Sequence, residues 1–406
     1  INSALEGGAA GCFTQRERES YLPGKFYIKV DSTQRALRDL ARYYKKKFPI
    51  PVVALTGSVG KTTTKDMVAA VLGEKYRVLK TEGNLNNEIG VPMTLLRLGS
   101  EHEIAVLELG MNHAGEIDYL SAMVEPDAVL MTNIGDSHIE HFGSREKILE
   151  AKSEIFHHAR PDAFVVINGD DPLLNTLPGR LPFSFTRIGA GEGLDYRAVD
   201  VESDGASRMT CRIVTPGGAF PVEIPALGEH MIYPTLMAAA VGEHFGLTHQ
   251  QIADGVLHFA PTKMRMNILH RGEGITILND TYNANPQSMR AAVQVLSGAK
   301  GEYKVAVLGD MFELGPLAPA LHAGIGDYLG KAGIHCLVAV GELAKHIYDA
   351  AKSAGVPECH YCPTKEAAKP VLDGLVRPNA TILVKASRGM AMEQLVDYLL
   401  GITKEA

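Results

Sequence analysis

The chain contains no tryptophan and only five cysteines among its 406 residues. The cysteines are scattered, at Cys12, Cys211, Cys336, Cys359 and Cys362. The last two have C-x-x-C spacing, but no second pair completes a zinc site and no redox motif surrounds them. We interpret that spacing as coincidence and expect a reduced, cytoplasmic compartment, because structural disulfides are rare there.

The chain also lacks an apolar stretch long enough to cross a bilayer, and it lacks a long basic run. Its formal net charge is −7 at pH 7, which disfavours a nucleic-acid-binding protein. The apolar share of 46% is ordinary for globular proteins, so a large core can form. The length predicts about two to three domains.

The most informative stretch, Thr56 to Thr64, reads TGSVGKTTT. It follows an apolar run at 52–55, typical of a buried parallel strand, and precedes a helical pattern at 65–72. Together these features predict a P-loop, in which curled backbone amides and a helix N-terminus attract phosphate. One position departs from the longer motif, since Leu55 stands where a glycine is usual.

Within this loop, Lys61 is predicted to reach the terminal phosphates of a nucleoside triphosphate, and Thr62 to ligate magnesium. The other loop residues of the predicted nucleotide site are Gly57, Ser58, Val59, Gly60 and Thr63. A glycine turn with a solvated lysine is the alternative, and the agreement of strand, loop and helix argues against it. The motif leaves the phosphate acceptor undecided.

Polar residues follow three further strands of the predicted sheet. Glu108 ends the apolar run 104–107 and is flanked by apolar residues, which favours a magnesium ligand over a surface acid. His138 lies beyond the strand 128–132, where a ligand role is an open alternative to a structural one. The loop 82–90 contains three asparagines and suits an ordinary turn and ligand contacts equally.

Lys152 lies on a predicted helix from Ser144 to His158, with apolar residues at i−4, i−3, i+3 and i+4. An ammonium group in an apolar stripe either snorkels to water or loses its proton. From the residues alone, a snorkelling lysine is the favoured interpretation.

The order of elements predicts an α/β protein in three parts. Residues 1–50 form a small α/β unit, which we expect to be truncated because the chain starts in mid-domain at Ile1. Residues 51–262 alternate strands and helices around a mostly parallel sheet, with an antiparallel patch at 196–224. Residues 263–406 form a second, Rossmann-like doubly wound sheet, without the glycine spacing of a dinucleotide site.

Seven motifs together resemble the Mur ligases of peptidoglycan synthesis, and the resemblance runs from about Ile1 to the C-terminus. The motifs span 56–66, 83–90, 108–111, 132–135, 151–155, 279–286 and 309–315. The P-loop is shared by all Mur ligases and by folylpolyglutamate synthetases. NDTYNANP at 279–286 and GDMFELG at 309–315 are more specific, and resemble the branch that adds D-alanyl-D-alanine.

The resemblance implies an N-terminal domain for the UDP-substrate, a central ATPase and a C-terminal ligase domain. It implies that ATP phosphorylates the terminal carboxylate of UDP-N-acetylmuramoyl-tripeptide. The amine of D-alanyl-D-alanine then attacks the acyl phosphate, and catalysis rests on positioning and charge neutralisation. A monomer with ATP and Mg²⁺ as its cofactors is expected.

The resemblance also assigns residues in the central domain. Lys61 and Thr62 match the phosphate and magnesium pair, and Glu108 and His138 match the metal ligands. Lys152 matches a lysine carried as a carbamate, formed from carbon dioxide and held by magnesium. This reverses the interpretation from the residues alone, because carbon dioxide requires a neutral, partly buried amine.

Further matches extend the site to the C-terminal domain. Asn133 would line the acceptor-phosphate region, whereas Arg265 and Asp280 would clamp the phosphates and ribose of ATP, with Tyr282 and Asn283 nearby. ATP would therefore lie between two domains, which would close around it.

Two further positions, Ser387 and Arg388, would meet the peptide end. Met231 and Pro234 depart from the family pattern, because they replace two asparagines, one of which commonly contacts adenine. The alternatives are another Mur-type or folylpolyglutamate-type ligase, or a non-catalytic nucleotide-binding regulator on the same scaffold. A regulator predicts loss of the metal and carbamate positions, which are all present.

Overall fold

The computed structural model describes residues 1–17 and 20–401 and contains three β-sheets among them. The strands are β1 (Gly11–Thr14), β2 (Phe26–Lys29), β3 (Val52–Thr56), β4 (Val78–Lys80), β5 (Ile104–Glu108), β6 (Ala128–Met131), β7 (Phe164–Asn168), β8 (Phe185–Gly189), β9 (Tyr196–Ser203), β10 (Met209–Thr215), β11 (Gly218–Ile224), β12 (Asn267–Arg271), β13 (Ile275–Asp280), β14 (Tyr303–Gly309), β15 (Cys336–Val340), β16 (Glu358–Cys362) and β17 (Ala380–Lys385).

The α-helices surround these sheets. They are α1 (Asn2–Glu6), α2 (Thr33–Lys45), α3 (Lys61–Gly73), α4 (Gly90–Leu95), α5 (Glu116–Val124), α6 (Ile139–Phe142), α7 (Arg145–Ser153), α8 (Ile232–His244), α9 (His249–Leu257), α10 (Pro286–Gly298), α11 (Ala318–Lys331), α12 (Ala344–Ser353), α13 (Lys365–Leu375) and α14 (Glu393–Leu399).

The central sheet has nine strands in the order β11-β10-β9-β8-β7-β6-β3-β5-β4. Neighbouring strands are parallel from β4 to β9, whereas β9, β10 and β11 pair antiparallel. The strands β3, β5 and β6 are fully buried, because α3, α8 and α9 cover one face and α4, α5 and α7 cover the other. This explains their continuous apolar runs.

The register of the central sheet brings the predicted site together at one edge. Leu55 at the end of β3 pairs with Glu108 at the end of β5, and Thr56 pairs with Met131 at the end of β6. The carboxyl ends of these parallel strands therefore place the P-loop, Glu108 and the loop after β6 side by side.

The third sheet has six strands in the order β12-β13-β17-β14-β15-β16 and is parallel except for the edge strand β12. At its carboxyl end, Asp280 of β13 pairs with Lys385 of β17. The mixed α/β architecture agrees with the predicted fold class, while the domain boundaries at 50 and 262 stay predictions.

The predicted helix at 144–158 differs from the structure. α7 ends at Ser153, and a 3₁₀ turn, Glu154–Phe156, follows it. The Glu154 carboxylate accepts hydrogen bonds from the backbone N–H groups of Gly115 and Asp118, at 2.7 and 3.1 Å, so this turn is fixed by contacts from α5.

Among the described residues, no helix combines the length and apolar character needed to cross a bilayer.

The glycine loop gives a test of local structure. Gly57 has φ of 152°, and a Cβ atom there would lie 1.9 Å from Thr132 Oγ1. We expect Gly57→Ala to destabilise the protein by about 1–3 kcal/mol, because the backbone strain and the steric clash both raise the free energy of the folded state. Urea unfolding measures this.

The matched control is Gly73→Ala at the exposed end of α3, where a Cβ atom would have no neighbour within 4 Å. This variant is expected to be neutral or slightly stabilising. Equal stability of the two variants would contradict the proposed constraint at Gly57.

Candidate active site

The P-loop connects β3 directly to α3. Gly60 takes a left-handed conformation with φ of 82° immediately before Lys61, the first residue of α3. Lys61 Nζ donates a hydrogen bond to the Gly57 carbonyl oxygen at 2.8 Å. Burial lowers the pKa of Lys61, while the nearby Glu108 carboxylate opposes that shift. The loop thus holds the half-buried Lys61 side chain against its own backbone.

Asn133 fixes the conformation of this loop through hydrogen bonds to its backbone. Its Oδ1 accepts from Val59 N and its Nδ2 donates to Val59 O, both at 2.9 Å. Its backbone oxygen also accepts from Ser58 N at 2.9 Å. The side-chain amide is therefore engaged with the loop, and the predicted role of Asn133 at the acceptor phosphate stays a prediction.

Glu108 presents a carboxylate oxygen without a protein partner. The residue is 2% exposed, and its Oε1 accepts from Asn86 Nδ2 at 2.7 Å. Its Oε2 is buried and has no hydrogen-bond partner. An unpaired buried carboxylate oxygen is costly unless a cation or donor binds there. Thr62 lines the same cavity as Glu108, and carboxylate and hydroxyl oxygens are ligand types that suit Mg²⁺.

His138 faces a carboxylate from the loop after β14. Its backbone is left-handed, with φ of 62°, and its Nδ1 lies 2.6 Å from Glu313 Oε2. Burial lowers the pKa of His138, against the opposing effect of Glu313. Because Glu313 lies at Nδ1, the other ring nitrogen is the one that could hold a metal.

Lys152 is buried in α7, with 2% of its surface exposed. Within the described part of the chain, its ammonium group has no hydrogen bond or ion pair. Burial lowers the pKa of Lys152 well below its ordinary value, and the charge of Lys61 lowers it further. The snorkelling interpretation is therefore wrong, and a neutral amine is favoured.

Arg265, in the segment just before β12, contacts the P-loop. Its Nη2 lies 3.3 Å from Thr62 Oγ1, and its guanidinium carbon lies 4.0 Å from the centre of the Tyr282 ring. Its buried Nε has no hydrogen-bond partner. This donor is therefore available to an anionic ligand near Thr62.

Asp280 is held at the end of β13. Its Oδ1 accepts from Met266 N at 3.1 Å, and its Oδ2 accepts from Lys385 Nζ at 2.5 Å. Lys385 Nζ also donates to the Asn283 carbonyl oxygen at 2.8 Å. This lysine therefore connects the two predicted nucleotide contacts.

A cavity of about 370 Å³ lies between the central and third sheets. Its lining brings together most predicted site residues: Ser58, Val59, Gly60, Lys61, Thr62, Thr63, Glu108, His138, Arg265, Asp280, Tyr282 and Asn283. Met231 also lines it, so an apolar side chain stands where the family pattern has an asparagine. Since cationic groups and unpaired donors face the cavity, it suits a phosphorylated ligand.

Ser387 and Arg388 do not line this cavity. The buried Ser387 hydroxyl accepts from Phe312 N at 2.8 Å, whereas Arg388 contacts Glu393 at 3.0 Å. Their expected contact with a peptide end stays a prediction.

Comparisons with known proteins agree with this geometry. The model of the Mur ligase middle domain matches residues 55–242, and that of the Mur ligase glutamate ligase domain matches residues 264–388. A Bacillus subtilis UDP-N-acetylmuramoyl-tripeptide–D-alanyl-D-alanine ligase is 38% identical over 404 residues, which is 98% of this chain and 87% of that protein. The chain belongs to the Mur ligase family.

Solved structures support the same assignment. MurF from Acinetobacter baumannii matches this Mur ligase with a TM-score of 0.91 and 34% identity, over 98% of this chain and 87% of that one. A Thermotoga maritima MurF ligase in complex with ADP matches with a TM-score of 0.86 and 27% identity, over 99% of this chain and 90% of that one.

Three residues of this Mur ligase site were missed by the sequence analysis as specific contacts: Asn86, Glu313 and Lys385. Lys385 had the same signal as Glu108, a charged residue at the carboxyl end of an apolar strand. Glu313 lies within a recognised motif, but its contact with His138 depends on the packing of two sheets.

The burial of Lys152 gives a pH test on the ligand-free protein. The unfolded chain binds a proton at Lys152 below the ordinary pKa of 10.5, and the folded chain loses that proton at a lower pH. This free-energy cost of folding shrinks as pH rises between the two values. We therefore expect Lys152→Met to raise the melting temperature at neutral pH, with a gain that falls toward pH 10.5.

Thermal unfolding across this pH range measures the effect, with the exposed Lys147→Met of the same helix as the control. A gain that stays constant with pH, or a lower melting temperature at neutral pH, would contradict the buried neutral amine.

Proposed function

We propose that this Mur ligase forms an amide bond between the terminal carboxylate of UDP-N-acetylmuramoyl-tripeptide and the amine of D-alanyl-D-alanine, with hydrolysis of ATP to ADP and phosphate. The relative from B. subtilis bears the name of this activity. The observation that carries the proposal is the grouping of the buried Lys152 and Glu108 with the half-buried Lys61 at the P-loop. A cation-rich site beside a phosphate loop suits activation of a carboxylate.

The proposed chemistry proceeds through an acyl phosphate. A carboxylate is a poor acyl donor, so transfer of the γ-phosphoryl group to its oxygen creates a leaving group. The dipeptide amine then attacks the carbonyl carbon, the C–O bond to phosphate breaks, and the amine loses a proton. Lys61 and Arg265 would neutralise charge on the transferring phosphate, and Asp280 and Lys385 would hold the nucleotide.

Magnesium, when bound, would neutralise phosphate charge, and Thr62, Glu108 and His138 would hold it. The unpaired Glu108 Oε2 supports that assignment. We further propose that Lys152 adds carbon dioxide. Its neutral amine attacks the carbon atom, one proton is released, and the resulting carbamate carries a negative charge. That charge would offset the cations that surround it.

We also propose that the protein works in the cytoplasm as a monomer. All five cysteines are free in the structure, which supports a reducing compartment. Nothing in the site calls for a second subunit, because both sheets that line the cavity belong to one chain.

The alternative of a folylpolyglutamate-type ligase is not favoured by any observation at the site. A non-catalytic regulator is also disfavoured, because Lys61, Glu108, His138 and Lys152 are all in place around the cavity or beside it.

The amine acceptor can be tested directly. With ATP, Mg²⁺ and UDP-N-acetylmuramoyl-tripeptide present, adding D-alanyl-D-alanine is expected to start phosphate release, because the acyl phosphate then has its nucleophile. A coupled phosphate assay measures the rate, and L-alanyl-L-alanine is the control acceptor. Phosphate release that does not depend on the D-dipeptide would refute the proposed reaction.

The role of Lys152 can be tested by removal and rescue. Lys152→Ala is expected to lower turnover by on the order of a hundredfold or more, because the proposed carbamate is lost. Short carboxylic acids such as formate should restore part of the activity, since they can occupy the vacated space. Lys147→Ala, an exposed change on the same helix, should keep wild-type turnover. Wild-type turnover in Lys152→Ala would rule out the carbamate role.

A further inference from the structure

A cluster of metal-ligating side chains lies at the opposite end of the third sheet from the cavity. Cys336 begins β15, and its paired neighbour Glu358 begins β16. His360 lies two residues further along β16 and shares the face of Glu358. One donor atom from each of these three residues lies within 4.8 Å of the other two.

We propose that Cys336, Glu358 and His360 form a binding site for a zinc-like divalent cation. The set combines a thiol sulfur, a carboxylate oxygen and an imidazole nitrogen, which are the ligand types of zinc in proteins. A tetrahedral zinc ion holds its donors about 3.5 Å apart, so modest side-chain rotation closes this set around the ion. A water molecule would complete the four positions.

Tyr303 supports the ligands from the neighbouring strand β14. Its hydroxyl group donates to Glu358 Oε2 at 2.6 Å. His360 Nε2 lies 2.9 Å from Glu358 Oε1. Outer hydrogen bonds of this kind orient a ligating carboxylate. The cluster therefore already has an arranged set of donors.

The charges around the cluster include one that opposes cation binding and others that favour it. Arg377 stacks over the Tyr303 ring at 4.2 Å, with Nη2 3.9 Å from Glu358 Oε2, and its positive charge weakens cation binding. Burial raises the pKa of the Cys336 thiol to about 12, so the thiol is protonated before metal binds. Binding must release that proton to solvent as the sulfur–metal bond forms. The resulting thiolate and the Glu358 carboxylate balance a divalent ion.

The strand geometry excludes Cys359 from the same site. Side chains alternate between the two faces of a strand, so Cys359 points away from Glu358 and His360. Cys359 packs against the core on one side of the sheet, whereas Cys336 and Cys362 belong to the core on the other side. The C-x-x-C pair therefore cannot act as one chelating unit here, and Cys336 is the cysteine of the site.

The position of the cluster predicts a structural role. Tyr303 pairs with Ala380 at the amino end of the sheet, while Leu308 pairs with Lys385 at the nucleotide end. Five residue steps of strand separate these levels, roughly 16 Å. A cation there would link β15 to the edge strand β16 and would leave the proposed reaction untouched.

Cobalt(II) titration of the full chain in excess Mg²⁺ tests this site, because only thiolate ligation gives a thiolate-to-cobalt charge-transfer band. We expect the band in the wild-type protein and in Cys359→Ser, and its loss in Cys336→Ser. Zn²⁺ alone should displace cobalt and raise the melting temperature of the wild-type protein and Cys359→Ser, but not of Cys336→Ser. Absence of the band in the wild-type protein, or its persistence in Cys336→Ser, overturns the proposal.

Two milder variants keep the test valid if Cys336→Ser fails to fold. Tyr303→Phe removes the hydroxyl that supports Glu358 and is expected to weaken cobalt binding by about 10–100-fold. His360→Ala, at a half-exposed position, removes a ligand and should weaken it at least as much. Unchanged cobalt affinity in both variants also overturns the site.

Discussion

The central constraint on this structure is the close grouping of two lysine side chains, one of them fully buried, beside a single buried carboxylate. Lys152 and Glu108 are each 2% exposed at the edge of the central sheet, and the half-buried Lys61 lies beside them. Buried ammonium groups without sufficient counter-charge either lose protons or require bound anions. Burial lowers the pKa of Lys152 well below its ordinary value, in line with proton loss, and the adjoining cavity leaves space for a bound anion. The surrounding fold makes such a site rigid enough to persist.

That rigidity comes from the parallel sheet. β3, β5 and β6 are buried on both faces, so their carboxyl ends are fixed by packing on helices above and below. Thr132 and Asn133 then tie the P-loop to the next strand through bonds to Val59. A triphosphate site of this kind depends on backbone groups that are already in place before the ligand arrives.

The third sheet uses its two ends differently. Its carboxyl end supplies Asp280 and Lys385 to the cavity between the sheets, and Arg265 reaches Thr62 from the segment just before β12. Its amino end carries Cys336 with Glu358 on the edge strand, and neither residue lines the cavity. The length of the strands therefore keeps the proposed cation site apart from the cavity.

The sequence by itself determined the features that depend on neighbours along the chain. Apolar runs followed by polar residues located the P-loop, Glu108 and His138, and helical periodicity placed Lys152 on an apolar face. Tertiary structure alone decided the partners. Three features depend on groups that are tens of residues or more away in the chain. They are the burial of Lys152, the atoms that Asn133 contacts, and the contact of Lys385 with Asp280. Strand order and sheet packing bring these groups together. A local sequence pattern does not predict contacts between residues so far apart in the chain.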